Sequence, residues 1–350
     1  MLLHSDLRNR FDLSHVDTMQ HQPNPNMGRF NLSTLFFALS NIFHVFRTIV
    51  YRSPLLVYML ISPSILGLVR DSVFILESKL LGRKVVIHLH SGYQIQEVYA
   101  QAPTLVRALA HWACHKVDRA IVLQTAFMDA FTELVPREHI VVIPNGVPDV
   151  LSGYRGHEQK ATLNNSKVVT YLSNLQEGKG YNDFLEAARL IATERNDVRF
   201  VVAGTWFDEE EKRATLSWIT AGGLGSRIEF PGVVLGKAKA HLLLGSNVFV
   251  FPAFDPEGQP LVLLEAMAAA LPIVTTDQGV LPQIVTHGRN GFVVPFRNPI
   301  ALARAITRLL DDDELRERIG KTNRAEYLEK YTAEKCIQRM GDLFEQVLAD

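Results

Sequence analysis

The sequence predicts an α/β protein built from two facing Rossmann-like domains, each with a doubly wound parallel sheet. The chain has 350 residues, which is more than one typical core holds and suits two domains. Short apolar runs of strand length alternate with amphipathic segments of helix length, as is typical of parallel sheets covered on both faces. The alternation stops once, between residues 145 and 166, where Gly, Asn, Ser and charged residues show no sustained period.

That interruption sets the predicted domain boundaries. We predict an N-terminal domain over residues 1–150, a linker over 151–166 and a C-terminal domain over 167–330. The last segment, 331–350, has apolar residues at helical spacing, so we expect a helix that crosses back to the N-terminal domain. In open parallel sheets, ligands bind at the carboxyl ends of the strands, where loops and helix N-termini meet.

Each predicted strand is a short run of β-branched or apolar residues. In the N-terminal domain the strands are residues 55–61, 84–90, 120–123 and 140–143, with helices at 64–80 and 104–115. In the C-terminal domain the strands are 168–172, 198–203, 228–230, 248–251 and 273–275, with helices that include 183–193 and 261–270. Because strands and helices alternate in both domains, both sheets are expected to be parallel.

Composition argues against several classes of partner and location. Lys plus Arg total 36 and Asp plus Glu total 37, so net charge gives no reason to expect nucleic acid as a partner. The two cysteines, Cys114 and Cys336, have no partner motif, which indicates a reducing compartment and argues against a disulfide framework or a structural zinc site. The N-terminus lacks the apolar core of an export signal, so we predict a cytoplasmic protein.

Two apolar stretches bear on membrane contact. Residues 55–69 are interrupted by a Ser-Pro-Ser triplet and fall short of the roughly 20 apolar residues that a spanning helix needs. Residues 30–51 form an aromatic-rich helical stretch, with Arg47 and Arg52 near its end. This stretch fits either a core helix or a peripheral contact with the inner face of a membrane.

The densest chemical feature is residues 251–285, which reads strand, loop, helix, strand and helix. Glu257 lies in the loop, and Glu265 lies about one turn inside the helix that follows. Carboxylates accept hydrogen bonds from paired sugar hydroxyls, and a helix N-terminus supplies amide donors for phosphate, so the combination suits a sugar nucleotide. Either glutamate alone also fits a structural explanation, as a solvated loop residue or as a residue that favours the first helical turns.

Four strings carry a resemblance to a known family. They are the E-x7-E region from Glu257 to Glu265, VDRAIVLQTAF at 117–127, VIPNGV at 142–147 and YLSNLQEGKGYNDFLEAA at 171–188. From about Leu55 onward the chain resembles the family 4 retaining glycosyltransferases of the GT-B architecture, the glycosyl transferases group 1. The resemblance implies an enzyme that transfers a sugar from a nucleoside-diphosphate sugar, its donor, to a saccharide or lipid-linked acceptor with retention at the anomeric carbon.

The resemblance also assigns residues to the donor site. Glu257 would contact the donor sugar and Glu265 the ribose, while the backbone amides of Gly258 and Gln259 would help to hold the sugar or the phosphates. Lys179 would lie against the diphosphate, where a cation offsets the charge that builds on the leaving group. Considered alone, Lys179 is better explained as a surface lysine in a turn.

Three further positions are weighed against the family pattern. Asn174 stands where the family has an arginine, and because Asn carries no charge, stabilisation of the leaving group is expected to be weaker or to come from elsewhere. His90 matches the family's histidine at the domain cleft and is a candidate for contact with the transferred sugar or the reacting centre; the alternative is a hydrogen-bonded histidine at a strand end. His88 shares its strand face and is expected to pack in the sheet.

Other motifs that could indicate a cofactor or metal site do not have the sequence context that such a site requires. The glycine-rich residues 221–225 follow a helix and precede a strand, the reverse of a dinucleotide-binding loop, so they are expected to stop a helix. The acidic residues 311–314 lie between two helical segments, where a helix N-cap explains them better than a metal site. The two histidines have no third ligand nearby in sequence, so no zinc is expected. We therefore predict no required metal and no cofactor beyond the donor.

The sequence departs from the family at its beginning. Family members begin with a strand and a glycine-rich loop that this sequence lacks, so the N-terminal domain is expected to be incomplete and Met1 to be an internal or misassigned start.

The leading hypothesis is a glycosyltransferase of cell-surface polysaccharide assembly. The alternatives are a truncated or non-catalytic nucleotide-sugar-binding protein that acts with a partner, and a sugar-nucleotide epimerase of GT-B shape. A nicotinamide-dependent dehydrogenase is disfavoured, because no G-x-G-x-x-G is correctly placed.

Overall fold

A computed structural model describes residues 5–18, 32–152 and 166–350. Most of the predicted linker, residues 153–165, lies outside the described residues. Contacts divide the described chain into two compact units. The first unit runs to Pro144 and also includes Cys336–Asp350, whereas the second unit is Asn145–Lys335.

The first unit contains a parallel sheet with the strand order β1-β2-β3-β4. Its strands are β1 (Leu56–Leu60), β2 (Lys84–Leu89), β3 (Arg119–Val122) and β4 (Ile140–Val142). Its helices are α1 (Leu7–Arg10), α2 (Leu32–Arg52), α3 (Ile65–Leu80), α4 (Gln94–Gln101), α5 (Thr104–Cys114) and α6 (Phe127–Ala130). Ser64 begins α3 as its N-cap, because its hydroxyl accepts a hydrogen bond from the Gly67 amide at 3.1 Å.

The second unit contains a parallel sheet with the strand order β10-β9-β8-β5-β6-β7. Its strands are β5 (Lys167–Leu172), β6 (Val198–Ala203), β7 (Ile228–Gly232), β8 (Val248–Phe251), β9 (Ile273–Thr276) and β10 (Gly291–Val294). Its helices are α7 (Tyr181–Glu194), α8 (Glu209–Ala221), α9 (Gly236–Leu244), α10 (Leu261–Ala268), α11 (Leu281–Ile284), α12 (Pro299–Asp311) and α13 (Asp313–Lys330), and α14 (Ala333–Ala349) follows. The strand order reverses between β5 and β8, which is where open parallel sheets form a ligand crevice.

The core of the second unit fixes the strands that border this crevice. Tyr171 of β5, Phe200 of β6 and Val250 of β8 are fully buried. They belong to one apolar cluster with residues of α7 and α12, including Phe184 and Ile306. Burial of this apolar surface stabilises the unit and holds the loops after β5 and β8 side by side.

Most of α14 packs against the sheet of the first unit. Met340, Leu343 and Phe344 share a buried cluster with Val86 of β2 and Ile121 of β3. Ion pairs lie around this cluster, from Arg10 to Asp342 and Glu345 and from Arg119 to Asp350. The apolar spacing of this segment thus corresponds to a buried helix face.

The predicted α/β fold class, with two parallel-sheet domains, is confirmed. The reversed strand order makes the second unit doubly wound, whereas the described strands of the first unit run in consecutive order. Asp312 caps α13 by accepting a hydrogen bond from the Leu315 amide at 2.8 Å, as expected for the acidic run. The strand β10, with the sequence GFVV, was not predicted; it lies at the edge of the sheet and pairs with β9. Among the described residues, no helix combines the length and the apolar character that crossing a membrane requires.

The helix α2 has apolar residues on two faces. Val45 and Ile49 are buried and pack near Phe74 of α3. On the opposite face, Phe36 is 76% exposed and Phe43 is 66% exposed. One face of α2 therefore packs in the core while the other exposes aromatic side chains. A core helix and a peripheral membrane contact, the two explanations for this stretch, are thus compatible.

Candidate functional site

Two loops meet at the carboxyl ends of β5 and β8 in the second unit. The Gly178 carbonyl accepts hydrogen bonds from the amides of Phe254 at 3.0 Å and Asp255 at 3.1 Å. Gly180 has φ +75°, and a Cβ atom there would clash with the Pro252 carbonyl oxygen. Only glycine satisfies both requirements, so the loop that carries Lys179 is held tightly against the loop that carries Glu257.

These contacts bring two predicted site residues together. Lys179 Nζ lies 2.5 Å from Glu257 Oε1, and the two side chains are only 25% and 14% exposed. Desolvation raises the pKa of Glu257, although the Lys179 ammonium opposes this by favouring the carboxylate. Lys179 and Glu257 therefore form a partly buried ion pair, which solvent screens less than it screens an ion pair on the surface.

A cavity of about 300 Å³ opens beside the same loop, at the carboxyl ends of β5, β6 and β7. Asn174 lines it, as do Thr205 after β6 and Val233 after β7. The Tyr171 hydroxyl donates to the Asn174 carbonyl oxygen at 3.2 Å and fixes the backbone at the cavity wall. The cavity combines apolar walls with a few polar groups, which is the usual composition of a small-molecule site.

Glu265 is buried near this cavity and is paired with a residue that the sequence had not indicated. It lies in the second turn of α10 and is 8% exposed. Its Oε1 lies 2.5 Å from Nζ of Lys239, a residue of α9 that lines the cavity. Its Oε2 is buried and has no hydrogen-bond partner among the described residues, so it can still accept a hydrogen bond.

The remaining predicted residues of this loop differ in what they contact. The Gln259 side chain is 5% exposed, and its Oε1 accepts a hydrogen bond from the Asn145 amide at 2.6 Å. Gln259 therefore also fixes the backbone of the VIPNGV string, beyond the amide role predicted for it. Gly258 lies in the same loop, and the ligand role of its amide stays a prediction.

His90 belongs to the first unit, where it follows β2 directly. Its ring lies over that of His88, with centroids 3.9 Å apart, and desolvation lowers the pKa of His90. His88 is 4% exposed and its Nδ1 lies 2.7 Å from the Tyr58 hydroxyl. Burial lowers the pKa of His88 to about 3, with a smaller effect from His90, so His88 packs in the sheet as a neutral ring.

The described part of the chain has no group of three or more His, Cys, Asp or Glu side chains arranged to hold a metal ion. The metal-independent reaction stays a prediction, because this finding concerns protein ligands alone.

Known family models match both units. The model described as Glycosyl transferase 4-like domain matches residues 8–146, and the model described as Glycosyl transferases group 1 matches residues 155–326. Among solved structures, the complex of Anabaena HepE with UDP is similar at a TM-score of 0.72 and 20% identity over 88% of this chain and 82% of that one. Two parallel-sheet units with this likeness define the GT-B class of proteins. The chain belongs to the family 4 glycosyltransferases, the glycosyl transferases group 1.

Curated relatives are similar over part of their length. Spore coat protein SA of Bacillus subtilis (strain 168) is 31% identical over 201 residues, which are 55% of this chain and 53% of the relative. The phosphatidyl-myo-inositol mannosyltransferase of Mycobacterium leprae (strain TN) is 32% identical over 209 residues, which are 59% of this chain and 54% of the relative. The chain therefore matches about half the length of these two relatives.

Proposed function

We propose that this chain is a glycosyltransferase that transfers a sugar from a nucleoside-diphosphate sugar to a saccharide or lipid-linked acceptor. The observation that carries the proposal is the arrangement of Lys179, Glu257 and Glu265 around adjoining loops, beside a cavity lined by Asn174. Two carboxylates for hydroxyl groups, a cation for the diphosphate and an apolar cavity for a base fit the parts of such a donor. HepE, whose fold is similar, has been crystallised with UDP-glucose.

The proposed reaction is metal-independent and retains the anomeric configuration, as the family resemblance implies. Glu265 accepts hydrogen bonds from the ribose, and Glu257 accepts them from the transferred sugar. Lys179 and the amides at the start of α10 stabilise charge on the departing diphosphate. His90 stays a candidate for contact with the transferred sugar, as the family resemblance implies. An inverted anomeric centre in the product, seen by NMR, would refute retention.

The donor site is tested by thermal shift with UDP, GDP, ADP and their common sugar conjugates. A ligand at ~100 times its dissociation constant that binds only the folded protein should add about 2.7 kcal/mol of stability. We expect one base to give this shift in the wild type and Glu265→Ala to lose it. Glu194→Ala, which replaces an exposed glutamate at the end of α7, is the control and should keep the shift. A wild type that no nucleotide stabilises would refute the proposal.

A second candidate is a non-catalytic nucleotide-sugar-binding protein that acts with a partner. It is motivated by the uncharged Asn174, which lies on the cavity wall where the family has an arginine. This candidate predicts a thermal shift with the donor and no release of nucleoside diphosphate. Measured donor turnover, with water or an acceptor, decides between the two.

We also propose that α2 makes a peripheral contact with an anionic membrane, where a lipid-linked acceptor would be found. Phe43 and Phe46 lie on its exposed face, with exposures of 66% and 41%. The helix contains no acidic residue, while Arg47 and Arg52 are exposed. Exposed aromatic side chains, with Arg47 on the same face and Arg52 at the end of the helix, suit the boundary between headgroups and acyl chains. The cytoplasmic location, at the inner face of the membrane, stays a prediction.

Flotation with vesicles tests the membrane contact. We expect the wild type to float with phosphatidylcholine vesicles that contain phosphatidylglycerol, and less with phosphatidylcholine alone. Phe43→Ser with Phe46→Ser should lower partition by more than about tenfold, because each aromatic ring contributes buried apolar surface. Leu105→Ser, at a residue of α5 that is 84% exposed, should change little. Equal losses in both variants, or no flotation of the wild type, would contradict the contact.

A further inference from the structure

The Lys179 ammonium already has an anionic partner within the chain. Glu257 Oε1 lies 2.5 Å from Nζ, and both side chains are mostly removed from solvent. A diphosphate bound at Lys179 would therefore approach a carboxylate of like charge, which opposes its binding. Asp255, on the same loop, adds negative charge close to Glu257. The Lys179 ammonium can thus bind a diphosphate only if Glu257 gives up this ion pair and accepts hydrogen bonds from another donor.

The sugar of a donor provides that other partner. Paired sugar hydroxyls donate hydrogen bonds to a carboxylate, so a sugar bound at Glu257 replaces the contact that Lys179 gives up. A nucleoside diphosphate without a sugar also takes Lys179, but it leaves Glu257 partly buried and without a donor. Leaving a buried charged group without its partner is costly. The same site should therefore hold the sugar conjugate well and the sugar-free diphosphate poorly.

We infer that Glu257 competes with the donor diphosphate for Lys179, and so selects nucleoside-diphosphate sugar over the sugar-free diphosphate. The inference rests on the proposed function and goes beyond it, because it gives Glu257 a second role in releasing the product. Once the sugar has left, Glu257 returns to Lys179 and displaces the nucleoside diphosphate. The tight connection of the two loops through the Gly178 carbonyl keeps the carboxylate within reach of Nζ.

Calorimetry on four proteins tests this competition. The wild type, Glu257→Gln, Lys179→Met and the double variant are titrated with the nucleoside diphosphate identified by thermal shift and with its sugar conjugate. Glu257→Gln should bind the free diphosphate about tenfold more tightly, because Lys179 is no longer neutralised, and the conjugate more weakly. In the Lys179→Met background, Glu257→Gln should no longer tighten binding of the free diphosphate.

Glu177→Gln is the matched control for charge removal near Lys179. Glu177 lies in the same loop, its side chain is 73% exposed, and its ion-pair neighbour is Arg297 at 3.7 Å. A general electrostatic effect would make this variant behave like Glu257→Gln, and that result would overturn the inference. Weaker or unchanged binding of the diphosphate in Glu257→Gln would also overturn it. If neither ligand binds the wild type, both the inference and the proposed function fail.

Discussion

Lys179→Met is expected to lower donor turnover about 10²–10³-fold, the usual cost of removing one group that stabilises developing charge. The reason is that the leaving diphosphate gains charge as the bond to the sugar breaks, and Lys179 is the cation assigned to it. The effect should be large here because Asn174 supplies no second charge at the position of the family's arginine. The loss should appear mainly in kcat, since the charge develops in the transition state.

The measurement is the release of nucleoside diphosphate from the donor that stabilises the wild type, at saturating concentration. Lys179→Arg keeps the charge and should recover part of the rate. Lys237→Met, at an exposed position of α9, controls for the loss of a lysine elsewhere in the same unit. A Lys179→Met protein that turns over donor at the wild-type rate would remove Lys179 from the mechanism.

The second large expected effect is a loss of folding stability at acidic pH. Burial lowers the pKa of His88 to about 3 in the folded protein, whereas an unfolded chain titrates near its usual value of about 6.5. Between these values the unfolded state binds a proton that the folded state excludes. The contribution of His88 to the free energy of unfolding therefore falls as the pH falls through this window, by about 1.4 kcal/mol per pH unit.

Denaturant unfolding of the wild type and of His88→Gln, at several pH values from 7.5 down to 4, isolates this contribution. Gln does not titrate and can still form a hydrogen bond with the Tyr58 hydroxyl. The difference in the free energy of unfolding between the two proteins should shift in favour of the variant as the pH falls. Parallel pH profiles would mean that His88 accepts a proton in the folded state, contrary to its burial.

Much of the fold could be predicted from local pattern. Strands such as β6 and β8 were predicted with the observed bounds, because each is a short, mainly apolar run whose apolar residues are buried on both faces. The acidic cap of α13 could also be predicted, since capping depends on neighbouring residues. The short strand β10 could not, because its place depends on pairing with β9, a distant part of the chain.

The residues of the candidate site were likewise predicted only in part. The family resemblance indicated Lys179, Glu257 and Glu265, but their local sequence gives no partner for any of them. Lys239 was missed altogether, since a single lysine at the start of a helix normally faces solvent. Its place in the first turn of α9, the helix that follows the carboxyl end of β7, was a possible signal, but this signal became specific only with Glu265 beside it.

The sequence by itself determined the fold class, the family and most candidate residues, because periodicity, caps and the E-x7-E spacing are local properties of the chain. Only the tertiary structure decided which charges are paired. Lys179 meets Glu257 across 78 residues of sequence and Lys239 meets Glu265 across 26, through strands whose order in the sheet differs from their order in the chain. The physical reason is that the energy of a charge depends on its burial and on its neighbours, and folding alone sets both.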